Sequence, residues 1–448
     1  MCEAEARINR RTAPTIYRGL VAVTRDEGGR FALDGAGEAV DWLVEMVRFD
    51  ETALFDAMAE RGALSLPQLE ELAEAIAHFH RTAERRPGAG GGAAMASLIE
   101  NNAQSFAACP DDAFDADAVA ELLAGWRGQL EDRRAQLDRR RAGGAVRHCH
   151  GDLHLGNIVL YEGRPTLFDA IEFNDAFCDI DILYDLAFLL MDLAHRDRAD
   201  LAAVVFNRYL DAAGDSGGLD LLPLFVSLRA GIRAHVTAVA AAAQSERGGG
   251  DRPFAGARRY LRHARAALRT DPPRLVAIGG LSGTGKSSLA RTLAPMLFAA
   301  PGARVLRTDC IRKRLAGVGL GDRLGADGYS REVTQETYRA LVAEADRILA
   351  AGRTVIADGV FAAAAERAAV RELAGRLGVP FAGLWLDAPP TTLEARVRAR
   401  RGDVSDAGPE VVRMQLGLDL GALDWVRVNA AGSAEAAAAA ARRVLRIG

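Results

Sequence analysis

Lysine is almost missing from this chain: Lys286 and Lys313 are the only two among 56 Lys/Arg residues. A position that keeps lysine amid so much arginine is one where a compact ammonium does what a planar guanidinium does not. Cysteine is scarce as well. Cys2, Cys109, Cys149, Cys178 and Cys310 form no C-x-x-C pair, which argues against a disulfide framework and against a four-thiolate zinc site. No run of 18 apolar residues occurs, and the opening M-C-E-A-E-A-R has no basic segment leading into an apolar one. Neither a membrane span nor a secretory leader is expected, so the chain reads as cytoplasmic with no membrane partner. No repeat of solenoid length is present either.

What is present is the balance of a globular protein, 49% hydrophobic and 26% charged, over 448 residues. That length exceeds one ordinary core, and two domains are expected, 1–270 and 271–448. Asp271 to Pro273 (D-P-P) breaks a helix read over Asp251 to Thr270, just before the apolar run Leu275 to Ile278. The net charge of −4 divides unevenly: residues 271–448 hold 25 Lys/Arg against 19 Asp/Glu, leaving 31 against 41 for the rest. Short apolar runs at 275–278, 304–308, 354–357, 381–386 and 425–428 alternate with helical stretches, which predicts an α/β domain with a parallel sheet. The first half reads as short mixed segments and then mostly helix, with one hairpin near residue 160. Arg86 to Gly92 and Ser245 to Gly250 read as loops, and the alanine-rich tail as a helix.

Gly280 to Ser287 spells G-L-S-G-T-G-K-S, which satisfies G-x-x-x-x-G-K-[ST] between a strand and a helix. Gly280, Ser282, Gly283, Thr284, Gly285, Lys286, Ser287 and Ser288 are expected to hold the phosphates of ATP. Glycines let successive N–H groups point inward, and the positive end of the following helix favours an anion. Lys286 would reach the β- and γ-phosphates and Ser287 would ligate Mg2+. The second strand ends in R-V-L-R-T-D, which places Asp309 at its carboxyl end, where it could take a proton from an acceptor hydroxyl or cap a helix; Arg312, one turn on, could orient substrate or phosphate. Asp358, ending the third strand, is the candidate for the magnesium-bound water or for a cap. Arg396 and Arg400 are spaced to share a helix face, where they would clamp the moving phosphoryl group or form a solvated basic face. This stretch resembles P-loop small-molecule kinases of the gluconate kinase, chloramphenicol phosphotransferase and zeta-toxin type. Its D-x-x-R at Asp309 and Arg312 also resembles polynucleotide 5′-hydroxyl kinases.

A second signature precedes it. His150 to Asn157 reads H-G-D-L-H-L-G-N, the pattern H-x-D-x-x-x-x-N of a kinase catalytic loop, and Asp169 follows a hairpin that would return it beside Asn157. Asp152 would be the base, and Asn157 and Asp169 the oxygen ligands of Mg2+. His148, Cys149, His150 and His154 are an alternative metal set, although Gly151 and Gly156 disfavour a regular helix. Asp175 to Asp185 reads as a solvated, helix-capping acidic run, in which Asp185 could brace the loop. With L-F-D-A-I-E-F-N-D and D-I-L-Y-D-L-A, residues 1–268 resemble aminoglycoside phosphotransferases and choline-kinase-like enzymes. Both halves together resemble a bifunctional family, described as AAA-family ATP-binding proteins, that fuses such a domain to a P-loop kinase.

The departure from that family lies at the beginning. No lysine precedes Lys286, and C-E-A-E-A-R-I-N-R-R resembles the family's glutamate-bearing helix with Glu5 as the glutamate, a resemblance that implies a small lobe without its first strands. Either the chain starts too far downstream or this copy has lost its own nucleotide site. The expected fold is therefore a mostly helical, kinase-like domain with an incomplete small lobe, followed by a parallel-sheet P-loop domain. The expected function is ATP- and Mg-dependent phosphorylation of a hydroxyl on a small molecule. A polynucleotide kinase is disfavoured by the modest positive charge and the lack of aromatics among basic residues. An ATP-sensing regulator is the reading from another class.

Overall fold

The computed structural model describes residues 1–245, 254–269, 271–400 and 404–447. It forms two compact units, one of Met1–Arg198 with Leu221–Leu268, the other of Ala199–Asp220 with Arg269–Gly448. The loop read at Ser245 to Gly250 lies outside the described residues after Ser245, and the helix read from Asp251 is described as Ala255–Ala267.

The first unit opens with the helix Cys2–Asn9 and an antiparallel sheet of β1 (Tyr17–Arg25), β2 (Phe31–Leu33) and β3 (Glu38–Met46) in the order β2-β1-β3. Helices then dominate. Leu66–Thr82 starts with a reciprocal cap between Ser65 and Gln68, and Ala116–Ala142 starts on the Asp115 carboxylate, each satisfying backbone N–H groups that the first turn leaves open. Two short antiparallel pairs interrupt them: β4 (Val146–His148) with β7 (Asp179–Asp181), and β5 (Ile158–Tyr161) with β6 (Arg164–Leu167). The second pair is the hairpin expected near residue 160. The helix Leu222–Ser245 belongs to a stretch, Leu219–Gln244, that is long and apolar enough to cross a membrane by length and composition, although 56% of its window is buried inside the protein. Leu224, Phe225, Val226 and Leu228 on this helix are core residues.

The second unit is an α/β domain. Five parallel strands, β8 (Leu275–Gly279), β9 (Arg304–Arg307), β10 (Val355–Asp358), β11 (Phe381–Asp387) and β12 (Val426–Asn429), lie in the order β12-β11-β8-β10-β9. Parallel strands covered on both faces are continuous apolar runs, and all five residues of β8 are buried. The order reverses on either side of β8, and ligands of such sheets bind beyond the carboxyl ends of the strands at that point. The helix Ala199–Ala213 groups with this unit. Asn207 on it offers Oδ1 to the N–H of Val305 at 2.7 Å and donates to the carbonyl of Ala303 at 3.2 Å, pairing polar groups along the edge strand β9. The tail forms the helix Ala434–Leu445 on a Ser433 cap.

Candidate active site

In the second unit, β8 ends at Gly279 and the helix Lys286–Leu297 begins after Gly285, so residues 280–285 form the loop between them. Two glycines are required by close approach as well as by positive φ. A Cβ at Gly280 would stand 2.6 Å from the Leu386 carbonyl oxygen, and one at Gly283 would stand 2.6 Å from that of Leu393. Thr284 donates its hydroxyl to the Leu281 carbonyl at 2.8 Å, and Lys286 Nζ donates to the same carbonyl oxygen at 3.1 Å, folding the ammonium back over the loop. The Ser287 hydroxyl donates to Asp358 Oδ2 at 2.6 Å, and Arg307 Nε lies 3.7 Å from that oxygen. Ser288 is exposed on the first turn.

The charges at this loop act on one another. Burial raises the Asp358 carboxyl above its ordinary range against the pull of Arg307 and Lys286. Burial likewise lowers the Lys286 ammonium, with Asp358 and Asp309 opposing and Arg400 and Arg307 adding to the shift. Ser287 and Arg307 thus meet at Asp358, and the charges of Lys286, Arg400 and Asp309 are near enough to act there. Asp309 is not at the strand end: β9 stops at Arg307, which is also the N-cap position, and Asp309 is half-buried in the first turn of the helix Thr308–Leu315. Arg312 is buried, donating to the Gly328 carbonyl at 2.9 Å and to Thr334 Oγ1 at 3.3 Å beneath the Tyr329 ring.

Arg396 and Arg400 do not share a helix face. The helix Pro390–Ala399 ends before Arg400, whose ψ of 136° is extended, and a glycine two residues on offers little helix propensity. Arg396 donates to the carbonyls of Ala430 and Gly432 at 2.8 and 2.9 Å, while Arg400 is close enough to Lys286 to repel its charge. The sequence reading missed Arg307 and missed Gln415, whose Oε1 accepts the Ser282 N–H at 2.7 Å. Neither belongs to a motif; only the fold brings them here.

In the first unit, Asp185 is fully buried and accepts the N–H groups of His150 and Gly151 at 3.1 and 2.9 Å, with His80 Nε2 at 3.1 Å. Burial raises its pKa, but the His80 hydrogen bond and nearby cationic charge outweigh that and bring it to about 2. Asp185 therefore braces the loop. Asn157 donates to the carbonyl and carboxylate of Asp152 at 3.0 and 3.1 Å. The hairpin returns the chain as expected: Phe168 N–H donates to the Asn157 carbonyl at 3.1 Å, leaving Asp169 next in line at φ 61°. The four residues of the alternative metal set diverge. His148 turns to Asp179, His150 to the Phe168 carbonyl, His154 to Asp152, and Cys149 to the Ile180 carbonyl. His80, Cys149 and Asp185 do bring ligand atoms within 4.8 Å of one another, but Asp185 is committed to the loop's backbone.

Glu5 has carboxylates for company. Burial, then Glu172 and Asp169, raise its pKa, and burial, then Asp152 and Glu172, raise that of Asp169. The loop bearing Asp169 is tied to the first helix through Asn9, whose Oδ1 accepts the Ala170 N–H at 2.7 Å, and to β1 through the Tyr17 hydroxyl.

Residues 38–222 match the phosphotransferase enzyme family, and residues 275–417 match an AAA domain. A Mycobacterium tuberculosis (strain H37Rv) protein named only as uncharacterized is 29% identical over 455 residues, covering 99% of this chain and 87% of that one. Adenylyl-sulfate kinase of Myxococcus xanthus is 37% identical over 117 residues, 26% of this chain and 59% of that enzyme. Among solved structures, an unliganded sugar kinase from Janibacter sp. is 24% identical with a TM-score of 0.31, covering 40% of this chain and 96% of its own. The APS kinase of Mycobacterium tuberculosis, bound to AMPPNP and APS, is 23% identical with a TM-score of 0.30, covering 39% of this chain and 98% of its own.

Proposed function

Since the chain joins a phosphotransferase-family domain to an AAA domain of the P-loop kinase kind, we propose that it is an ATP-dependent cytoplasmic enzyme that phosphorylates a hydroxyl of a small molecule, with the chemistry at the loop 280–287. The observation that carries this is the 2.6 Å contact between Ser287 and Asp358 beside Lys286. A hydroxyl paired with a buried carboxylate at the start of a helix is a donor set that suits Mg2+ and its water. Bound there, Mg2+ would neutralise charge on the phosphates. The loop's N–H groups and Lys286 hold the phosphate chain, and Arg400 adds positive charge near Lys286. Asp309, in the turn that follows β9, accepts the proton of the acceptor hydroxyl. Arg312 already serves the segment 328–334, so its role is to fix the acceptor side of the pocket rather than to grip phosphate.

The test is ADP release from Mg-ATP by the full chain against sugars, aminoglycosides, nucleosides, adenylyl sulfate and oligonucleotides. Stimulation by a small hydroxylated compound, lost in Lys286→Ala, is the expected result. Stimulation by oligonucleotides alone would identify a polynucleotide kinase, and ATP binding without stimulation by any acceptor would favour a sensor.

A further inference from the structure

The segment 404–416 touches the acceptor side of the second unit at one end and the phosphate loop at the other. At the first end, Asp406 gathers three donors: Lys313 Nζ at 3.3 Å, the Leu324 N–H at 3.0 Å and the Tyr329 hydroxyl at 2.9 Å. Lys313 is 1% exposed and also donates to the Leu320 carbonyl at 3.0 Å, so one ammonium binds the carboxylate and the chain that leads to it. A point charge with rotatable donors fits two partners in such a space, which an arginine fork does not. Burial raises the Asp406 pKa, but the Leu324 N–H, Tyr329 and Lys313 together hold it below the usual carboxylate range. At the far end, Gln415 on the helix Pro409–Leu416 accepts the Ser282 N–H. Between the ends, Val412 is fully buried against Leu393 and Val397, with Leu281 packed on the same cluster.

The helix Pro409–Leu416 carries a locked core residue, Val412, and the anchor Gln415, and it follows Asp406 by only Ala407 and Gly408, so a displacement at Asp406 is passed on to a packed element that does not deform continuously. We propose that Asp406 is a positioning residue for the phosphate loop: it couples the acceptor-side segment 316–329 to the Ser282 amide through the helix Pro409–Leu416 and Gln415. The inference rests on the reading of loop 280–287 as the nucleotide site. Its consequence is that order at the acceptor side, where Tyr329 lies over Arg312, is felt at the loop that holds ATP, so that transfer is favoured when an acceptor is in place.

The experiment uses the full chain, with amide hydrogen exchange of the peptide covering 279–289 and titration with Mg and the fluorescent analogue mant-ATP. In Asp406→Asn the Ser282 amide is expected to exchange about tenfold faster and mant-ATP to bind about tenfold more weakly, as local opening at that end spreads along the helix. Gln415→Leu should do the same, the double variant should be no worse than either single one, and Asp406→Glu should restore both readings. Unchanged exchange in Asp406→Asn, or losses that multiply to about 100-fold in the double variant, would overturn the coupling. Should Asp406→Asn fail to fold, Tyr329→Phe removes one of the three donors at an exposed ring and must show a smaller rise in exchange. Lys286→Ala separates the two ideas. If it binds mant-ATP like the parent, the nucleotide reading fails, while the exchange result still decides the coupling.

Discussion

The two catalytic signatures in this chain differ in the sign of the charge around them. At the loop 280–287, Lys286, Arg307 and Arg400 gather about two carboxylates, Asp309 and Asp358. At the loop 150–157, Asp152 and Glu172 act on Asp169, and Glu172 and Asp169 on Glu5, so that burial and that company raise the carboxyls of Glu5 and Asp169. Burial works against the Asp152 charge too, but His154, Arg229 and His150 hold that carboxyl below its ordinary range. The phosphates of ATP are strongly anionic, and a site that receives them supplies charge of opposite sign before the ligand arrives. A motif names the atoms that meet the phosphates; the surrounding charge decides whether they come. The largest expected effect follows from this. Lys286→Ala should abolish both turnover and the rise in thermal stability with ATP, which at 100 times Kd is worth about 2.7 kcal/mol. A full ATP-induced shift in that variant would remove the loop from consideration.

The next effect concerns the body that carries the cationic site. Arg304 is 1% exposed, and its Nη2 stands 2.6 Å from Asp211 Oδ1 and 3.7 Å from Glu344 Oε1. Asp211 is on the helix Ala199–Ala213, which also pairs the edge of β9 through Asn207. Removing the only partner of a buried charge costs about 3–5 kcal/mol, and with Glu344 still beside Arg304 the loss of Asp211 costs less than that. Asp211→Ala should therefore lower the melting temperature of the second unit while its folded fraction still gains stability from ATP. A melting curve like that of the parent would show that this helix is dispensable to the unit.

Smaller again is the effect at the acceptor side. Asp309→Asn should leave ATP binding nearly intact and lower kcat by about 10²-fold, as loss of a general base does. A rise in KM with kcat retained would instead make Asp309 an acceptor contact, consistent with its place inside the first helical turn.

What the sequence made legible divides along similar lines. The central strands β8 and β10 could be read because strands buried on both faces are uninterrupted apolar runs, and each of the five lies within a residue or two of its expected place. The hairpin that returns Asp169 beside Asn157 was legible from a turn, E-G-R-P, between two short apolar stretches. The partnership of Ala199–Ala213 with the second unit was not, because an amphipathic helix announces an apolar face and not its partner. Gln415 and Arg307 escaped for the same reason: they reach the site from other elements, and a lone polar residue in a sequence carries no address. Arg396 and Arg400 were misjudged as a helical pair because the spacing assumed a helix that ends at Ala399.

The smallest expected effect is the sharpest test of the charge comparison. Asp152→Ala in the full chain should leave acceptor-stimulated ADP release within about twofold of the parent, the scale of a change outside the reacting centre. The motif argues the opposite, for Asp152 is held by Asn157 and His154 in a loop that Asp185 braces from beneath. Geometry of that quality would be catalytic if a nucleotide came to it. Phosphoryl transfer, however, depends on positioning and on charge neutralisation together. On the first helix, the Glu5 carboxyl meets Glu172 and Asp169, which with burial raise its pKa. Arg11, a cation of the same unit, is already bound to the carbonyls of His148 and Cys149 at 2.7 and 3.2 Å. If Asp152→Ala instead lowers turnover by about 10²-fold while Lys286→Ala does not, the catalytic centre is in the first unit and the local charge is overcome by bound Mg2+. The two variants measured side by side therefore decide which loop transfers phosphate.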